Sequence, residues 1–308
     1  MNPSAYVSVP LVLPEHITTA VTHNSRFHSD DLFAAAALRL LRPEMKFIRT
    51  RDEAVHAAAE FIFDIGGFYV PEKFQFDHHQ IGRAGKRANG IDYAAFGLIW
   101  KHFGVQIAGD EKVAAIVDQV LVSAVDAMDN GINLMEPLRD DVSPYLAFRA
   151  FMSANPTWRE DVSLTDEYFY KALEFAVYIL QREIINAQDA VTGYAFVEKA
   201  YEVAEDKRMI MLDGSYPFKE VLLKKEEPLY VVRPTPQSTD WKVEAIPKGR
   251  WTFENRKPFP EAWAGLKDAD LAAVTGVPDA KFCHTARFLA VAKSREGAIA
   301  LARLALDA

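Results

Sequence analysis

The triplet Asp77-His78-His79 places three metal-binding side chains in a row, directly after the run Lys73–Phe76. That run alternates polar and apolar residues and predicts a β-strand. Adjacent strand residues point to opposite faces, so at most one of the two histidines can face the core. Packing therefore does not account for the pair. Imidazole and carboxylate groups at the end of a strand indicate a metal centre.

Other residues of the same chemical types follow predicted elements elsewhere in the chain. Like the triplet, they combine imidazole and carboxylate groups close to the end of a strand or a helix. In chain order they are His23, His28 and Asp30 between a strand at Ile17–Thr22 and a helix at Leu32–Leu41, Asp64 after the apolar run Phe61–Phe63, and Asp126 with Asp129 at the end of a helix at Lys112–Met128.

Each of these groups taken alone has a simpler role. Asp30 can cap the helix that follows it, and Asp64 can cap a turn with Gly66-Gly67. Asp126 and Asp129 lie three residues apart and can share a solvated helix face. A shared site is favoured because a carboxylate that ends an apolar strand is costly to desolvate unless a cation or hydrogen bonds compensate its charge.

The donor set also restricts the metal. Imidazole and carboxylate without thiolate suit Mn²⁺, Mg²⁺, Co²⁺ or Fe²⁺ better than structural zinc. Two such ions, about 3.5–4 Å apart, clamp the attacking and leaving oxygens of an in-line phosphoryl displacement. The four groups supply enough ligands for two ions, so the sequence predicts a metal-dependent phosphoesterase.

The elements that position these residues alternate between strands and helices. Alternation over 17–128 predicts a parallel sheet with helices on both faces, and Asp166–Asn186 predicts a long helix. Three later runs predict strands, namely Arg208–Leu212, Leu229–Val232 and Trp241–Ile246. The end, Lys281–Ala308, predicts a strand followed by a helix. The predicted fold class is α/β, with a parallel-sheet domain joined by the long helix to a smaller α+β C-terminal domain.

The boundary between the two domains is predicted near residue 190, because Gln188–Gly193 interrupts the helical pattern. Residues 1–190 would form the metal-binding domain and residues 191–308 a substrate-binding domain. The negative charge of the chain is concentrated in its first two-thirds, whereas the last third is weakly basic. Such a distribution fits metal ions held in one domain and an anionic substrate steered by the other.

Composition excludes several classes of protein. The 308 residues are 50% hydrophobic and 25% charged, as in globular proteins. No stretch approaches the roughly 18 apolar residues of a membrane helix, and Met1–Pro14 lacks the positive charge of a secretory signal. The single cysteine, Cys283, excludes an intramolecular disulfide framework. We expect a cytoplasmic protein without a membrane segment.

The four groups in this order resemble the DHH phosphoesterase superfamily, named for its Asp-His-His motif. Within it, the chain is most similar to the Myg family of metal-dependent exonucleases, and the resemblance covers most of the chain. The matching stretches are Thr22–Asp30, Phe63–Gly67, Asp77–Gln80, Gly97–Gly104, Val125–Gly131 and Phe259–Trp263.

The resemblance implies a role for each residue of the site. Six residues would bind metal: His23, His28, Asp30, Asp64, His78 and Asp126. Two divalent ions are implied, with Mn²⁺ expected and Mg²⁺ or Co²⁺ as alternatives. Asp77 would orient the site, and His79 would contact the scissile phosphate or assist proton transfer. The implied reaction is phosphoester hydrolysis by a hydroxide that bridges the two ions.

The substrate side departs from the family pattern. Ser25-Arg26 replaces a small Gly-Thr type of pair and brings a long cation next to His28. The segment from His284 to Val291 lacks the glycine pair that usually follows the histidine, and glycine amides approach a phosphate more closely than bulkier residues allow. The candidate substrate-binding residues are therefore the side chains of His284, Arg287 and Arg26.

Three functions are compatible with this pattern. The leading hypothesis is a 3′-to-5′ exonuclease acting on RNA or short oligonucleotides. The missing glycine pair favours a small-molecule phosphohydrolase, acting on pyrophosphate, a cyclic dinucleotide or a nucleoside bisphosphate. The third is a non-catalytic nucleotide-binding protein. The candidates for stacking on bases are Phe218, Tyr230, Trp241, Trp251 and Phe253, although core packing is expected for most of them. The sequence also leaves open whether the protein forms a homodimer.

Overall fold

The chain divides into two compact units, Met1–Gln188 and Asp189–Ala308. The computed structural model describes residues 6–136, 141, 145–236, 238–250 and 252–308. One helix of 39 residues, α7 (Thr165–Val203), begins in the first unit and ends in the second. No helix among the described residues is both long enough and apolar enough to cross a membrane.

The first unit is built on a five-stranded sheet with the order β2-β1-β3-β5-β4. Its strands are β1 (Thr19–Thr22), β2 (Lys46–Arg49), β3 (Ile62–Phe63), β4 (Tyr69–Val70) and β5 (Gln75–Phe76). All neighbouring pairs are parallel except β4 with β5, which is antiparallel. The parallel strands end at the same edge of the sheet, and the metal-binding residue types follow them there.

Helices complete the first unit. They are α1 (Ser29–Leu41), α2 (Glu53–Ala58), α3 (Ala95–Ala108), α4 (Glu111–Val117), α5 (Ser123–Asp129) and α6 (Ala147–Ser153). Helices α1 and α3 pack against each other, with the stacked rings of Phe33 and Phe96 at 5.5 Å. The ring of Phe61 stacks on that of Phe76 at 5.2 Å, so the ends of β3 and β5 lie in the same apolar core.

The second unit has a five-stranded sheet with the order β6-β7-β8-β10-β9. The strands are β6 (Met209–Met211), β7 (Tyr230–Pro234), β8 (Trp241–Ala245), β9 (Ala280–Cys283) and β10 (Leu289–Ala292), and the helices are α8 (Lys219–Leu222), α9 (Asp268–Thr275) and α10 (Arg295–Asp307). Only β6 and β7 are parallel. Val231 and Val232 belong to different apolar clusters, so both faces of this sheet are buried.

The predicted α/β class is confirmed, including the parallel sheet, the long helix and the smaller α+β unit. The long helix was predicted too short: α7 continues through Gln188–Gly193, so the expected interruption there is wrong. Tertiary contacts stabilise a helix beyond its local propensity, which explains the difference. The end of the chain contains a hairpin, β9 with β10, where the sequence predicts one strand.

One helix predicted as continuous is broken. Between α4 and α5 the backbone forms a π-helical turn at Asp118–Val122. No glycine or proline marks this turn in the sequence, so periodicity alone indicates a straight helix over Lys112–Met128. Single π turns are frequent at functional sites, and this one lies within a buried network of charged side chains described below.

Candidate metal centre

The carboxyl ends of β1, β3 and β5 meet at one edge of the first sheet. His23 follows β1, Asp64 follows β3, and Asp77-His78-His79 follow β5. Asp30 enters from the first turn of α1 and Asp129 from the last turn of α5. Three overlapping groups of possible ligands form there, made up of His23, His28, Asp30, Asp64, Asp77, His78, His79 and Asp129.

Asp64 lies at the centre of this cluster and is 1% exposed. Its Oδ2 is 3.2 Å from Nε2 of His23 and 3.5 Å from Nε2 of His28. Its Oδ1 is 3.3 Å from Nε2 of His78. One carboxylate therefore joins two sets of histidine ligands, each through a different oxygen.

Asp129 closes the opposite side of the cluster. Its Oδ1 is 3.4 Å from Nδ1 of His28, and its Oδ2 is 3.2 Å from Nε2 of His78. Asp30 forms a further ligand group with His78 and Asp129. Both Asp30 oxygens also accept backbone hydrogen bonds at the start of α3, from Ala95 at 2.9 Å and from Phe96 at 2.8 Å.

The spacing of these atoms fits divalent ions. Ligand bonds to first-row metals and Mg²⁺ are about 2.0–2.2 Å, so donor atoms at right angles around such an ion lie about 3 Å apart. The Nε2 atoms of His23 and His28 are 3.2 Å apart. The buried Oδ2 atoms of Asp31 and Asp64 have no hydrogen-bond partner among the described residues. Buried carboxylate oxygens without donors are expected where a cation binds.

Neighbouring groups orient these donors. Nδ1 of His23 is 2.9 Å from the carbonyl oxygen of Asn24, which directs Nε2 towards Asp64. Asp77 accepts the backbone N–H groups of Gly67, His78 and His79 and the Nδ1–H of His79 at 2.7 Å. Asp77 thus holds both the backbone around it and the ring of His79.

The buried carboxylates of the site need positive charge to balance them. Burial works against the charge of His23, but the adjacent carboxylates of Asp64 and Asp31 outweigh burial and raise the His23 pKa to about 9. Burial also opposes the charge of Asp64, yet the adjacent imidazoles of His23 and His78 hold the Asp64 pKa well below its usual range. Burial raises the pKa of Asp30 and Asp129. Protons on imidazole supply the positive charge that a divalent cation would replace.

Asp126 has different contacts from Asp129, although both lie on α5. The side chain of Asp126 is fully buried, and Oδ1 accepts the N–H of Gly97 at 3.1 Å. Its Oδ2 is 2.6 Å from Nε of Arg87, and Nη1 of Arg87 binds both oxygens of Asp118 at 2.7 and 2.8 Å. The structure therefore brings five of the six predicted ligands together and places Asp129, rather than Asp126, among the histidines.

The π turn explains how one arginine binds both acids. Residues eight apart in a straight α-helix point in directions that differ by about 80°. A π turn absorbs one residue and reduces that difference for Asp118 and Asp126 to about 20°. Both carboxylates consequently face Arg87, which is itself 8% exposed.

Replacing Arg87 with methionine is expected to destabilise the protein more at pH 8 than at pH 6. Burial raises the pKa of Asp126 to about 7 despite Arg87, and it also raises the pKa of Asp118. Without Arg87 the pKa values of both carboxyl groups rise further. The folded variant then binds more protons than its unfolded chain, so it loses stability as pH rises. The loss should approach about 3–5 kcal/mol at pH 8. Urea unfolding at pH 6 and at pH 8 measures the loss of stability. Equal losses at both pH values would contradict this prediction. Arg51→Met, at an exposed arginine, is the control.

The chain is similar to known proteins over most of its length. A family model named MYG1_exonuc, described as "Uncharacterised protein family (UPF0160)", matches residues 19–306. The human protein named MYG1 exonuclease is 32% identical over 327 residues, which cover 92% of this chain and 85% of the human one. A MYG1 protein of Caenorhabditis elegans is also 32% identical, over 93% of this chain and 94% of its own.

The chain belongs to the MYG1 family. It is therefore a hydrolase, as the name exonuclease of its relatives states. Among solved structures, the pGpG-specific phosphodiesterase PggH of Vibrio is 12% identical and covers 94% of this chain and 99% of its own, with a TM-score of 0.30. A TM-score of that size does not establish a common fold.

In this MYG1 member, the loop between β1 and α1, which carries His23 and His28, is held by two residues that the sequence did not predict. Asn155, which is buried after α6, accepts the N–H of Phe27 at 2.9 Å and donates to its carbonyl at 2.8 Å. Arg49 donates to the carbonyl of Ser25 at 2.8 Å and to Asp166 at 2.6 Å. Together they fix the backbone between His23 and His28. No local pattern marks either residue, because both act across the fold.

The predicted substrate residues lie in different units. Arg26 is exposed in the first unit, on the loop between β1 and α1. His284 and Arg287 lie on the turn between β9 and β10 in the second unit. There the ring nitrogen Nδ1 of His284 accepts the N–H of Ala286 at 3.0 Å, and the His284 carbonyl accepts the N–H of Arg287 at 2.8 Å. Two amides of the turn are therefore already engaged.

Of the aromatic residues considered for base stacking, Phe218 and Tyr230 are buried in the core of the second unit. Phe253 is fully exposed, and Trp241 is half-buried. Trp251 lies outside the described residues. Core packing thus accounts for two of the five.

Proposed function

We propose that this MYG1-family chain is a phosphodiesterase that depends on two divalent metal ions, with Mn²⁺ as the expected ion. Its substrate would be RNA or a short oligonucleotide, shortened from the 3′ end. The name exonuclease of the relatives supports hydrolysis of a nucleic-acid strand. The proposal rests on the position of Asp64. Its Oδ2 lies near His23 and His28, and its Oδ1 lies near His78.

The proposed ligand set follows from the contacts. His23 and His28 with Oδ2 of Asp64 would hold one ion, and His78 and Asp129 with Asp30 and Oδ1 of Asp64 the other. When bound, the two ions would supply an activated hydroxide and would neutralise charge on the phosphoryl oxygens. Asp126 stays a candidate ligand from the family pattern, but its contacts favour a role in positioning α3 and α5.

His79 is the proposed proton donor. Its side chain is 58% exposed, so a substrate can reach it, whereas His78 is buried. The hydrogen bond between Nδ1–H of His79 and Asp77 raises the His79 pKa. A raised pKa favours the imidazolium form, in which Nε2 carries a proton that it can donate to the leaving oxygen. Asp77 fixes the ring for that transfer.

A small-molecule phosphohydrolase is the second candidate. It is favoured by the turn at His284, because amides that already donate within the turn do not hold a phosphate. Phosphate binding by this turn then depends on the side chains of His284 and Arg287. Two such side chains suit a compact substrate, such as pyrophosphate or a dinucleotide, as well as the end of a strand.

The test is a hydrolysis assay on the metal-stripped protein, with and without added Mn²⁺. The substrates are 5′-labelled RNA, a dinucleotide and pyrophosphate, and His78→Ala is the inactive control. We expect Mn²⁺-dependent shortening of RNA by single nucleotides. Faster turnover of the dinucleotide or of pyrophosphate than of RNA would favour the second candidate. No turnover of any phosphoester by protein with Mn²⁺ demonstrably bound would overturn the enzymatic proposal.

Asp129 and Asp126 form a matched pair for testing the ligand set. Asp129→Asn is expected to weaken Mn²⁺ binding by more than about 100-fold with little change in stability of the metal-free protein. Asp126→Asn should retain Mn²⁺ binding within about 10-fold but unfold at a lower temperature, because Arg87 loses a buried carboxylate. Calorimetric titration with Mn²⁺ and thermal unfolding in chelator separate the two effects. The opposite pattern would make Asp126 the ligand.

A further inference from the structure

A cavity of about 380 Å³ lies within the second unit. It is formed by the C-terminal part of α7, the end of β6, the start of β8 and the first residue of α10. Because β6 and β7 are parallel, the cavity lies at the carboxyl ends of a parallel pair, where α/β folds commonly bind ligands. Nothing in the proposed hydrolysis uses this cavity, since the metal-binding groups all lie in the first unit.

The side chains of Phe196 and Trp241 form its walls. Phe196 is 47% exposed although its ring is large and apolar, and the ring of Tyr216 contacts it at 4.8 Å between centroids. Trp241 packs partly on the core of the sheet and contributes its remaining surface to the cavity. Met211 also lines the cavity. These walls fit a flat ring system that is apolar on its faces.

The rim of the cavity is polar and carries positive charge. Lys199 lies one turn along α7 from Phe196, and Arg295 lies with its guanidinium 5.9 Å from the Trp241 ring. Neither cation forms an ion pair with a carboxylate in the described part of the chain. Asp213 also lines the cavity, and its proximity raises the pKa of the Tyr216 hydroxyl. An anion would bind both cations, while Asp213 could accept from ribose hydroxyls or a base edge.

We propose that this cavity binds a nucleoside monophosphate, with the base against Phe196 and Trp241 and the phosphate between Lys199 and Arg295. The volume suits one nucleotide rather than several, since ligand pockets start at about 300 Å³. The nucleotide is either free, as a product of hydrolysis would be, or the end of a strand. Both sources present the same chemistry to the cavity.

The test is calorimetric titration of the full chain in chelator, so that the metal centre is empty and takes no part. The probes are AMP and GMP, with adenosine and ribose 5-phosphate as ligands that lack one recognised group. We expect a mononucleotide to bind more tightly than either fragment. Phe196→Ala should weaken binding by roughly 5- to 100-fold, the range for loss of one stacked base. Lys199→Ala should weaken nucleotide binding but not adenosine binding.

Matched controls lie on the same helix. Phe175 is an exposed phenylalanine of α7 in the first unit, and Arg182 is an exposed cation there. Their alanine variants should leave nucleotide affinity unchanged. An oligonucleotide that competes with AMP would identify the strand end as the source, and one that does not would identify the free nucleotide. The proposal is overturned if no mononucleotide binds, if ribose 5-phosphate binds as tightly, or if Phe196→Ala has no effect. Because the assay needs no hydrolysis, these outcomes are independent of the proposed activity.

Discussion

Asp64→Asn is expected to lower Mn²⁺-dependent hydrolysis by at least about 10³-fold while leaving the protein folded. The loss is large because Asp64 is the one carboxylate within 3.5 Å of His23, His28 and His78 together among the described residues. An amide oxygen is neutral and cannot bridge two cations as a carboxylate does. Both proposed ions therefore lose a shared anionic ligand.

Folding should survive because of the backbone at this position. Asp64 has φ 55°, in the left-handed region, which asparagine tolerates far better than most residues. Asp64→Ala has the same loss of charge but adds backbone strain of about 1–2 kcal/mol. The two variants should therefore be equally inactive, with only Asp64→Ala clearly destabilised in chelator.

Activity, Mn²⁺ titration and thermal unfolding measure the three quantities. In the wild type, Mn²⁺ should raise the unfolding temperature, because an ion that binds only the folded chain stabilises it. In Asp64→Asn that rise should be largely absent. An Asp64→Asn protein with wild-type activity would refute the central role of Asp64 in the site.

Gly97→Ala is expected to cost about 3 kcal/mol of unfolding free energy, or roughly 10 °C in melting temperature. A Cβ atom at residue 97 would lie well inside contact distance of both carboxylate oxygens of Asp126. Asp126 is fully buried and bound to Arg87, so it has no room to move. The result would be the reverse of the usual gain of about 1 kcal/mol when alanine replaces glycine inside a helix.

The double variant Gly97→Ala/Asp126→Ala tests this explanation. Removing the carboxylate also removes the clash, while Asp118 stays bound to Arg87. The double variant should be less destabilised than the sum of the two single variants, by about 2 kcal/mol or more. Additive losses, measured by urea unfolding, would show that the close approach of helix α3 to Asp126 is not what requires glycine.

Much of the first unit was predictable because its signals are local. The strand β1 and the helix α1 were predicted close to their observed bounds, since one is a short apolar run and the other a periodic pattern. Parallel strands bring their carboxyl ends to one edge, so His23, Asp64 and Asp77 were correctly expected at the same edge of the sheet. The small antiparallel strand β4 was not predicted.

What the sequence by itself determined is the chemistry of the site: histidines and aspartates, without thiolates, at the ends of parallel strands. Only the tertiary structure decided which atoms meet. The π turn directs Asp126 to Arg87, while Asp129, three residues later, faces His28 and His78. Asn155 binds the backbone of Phe27 across 128 residues of chain. Periodicity describes local backbone geometry, whereas the direction of a buried side chain depends on its partners from distant segments.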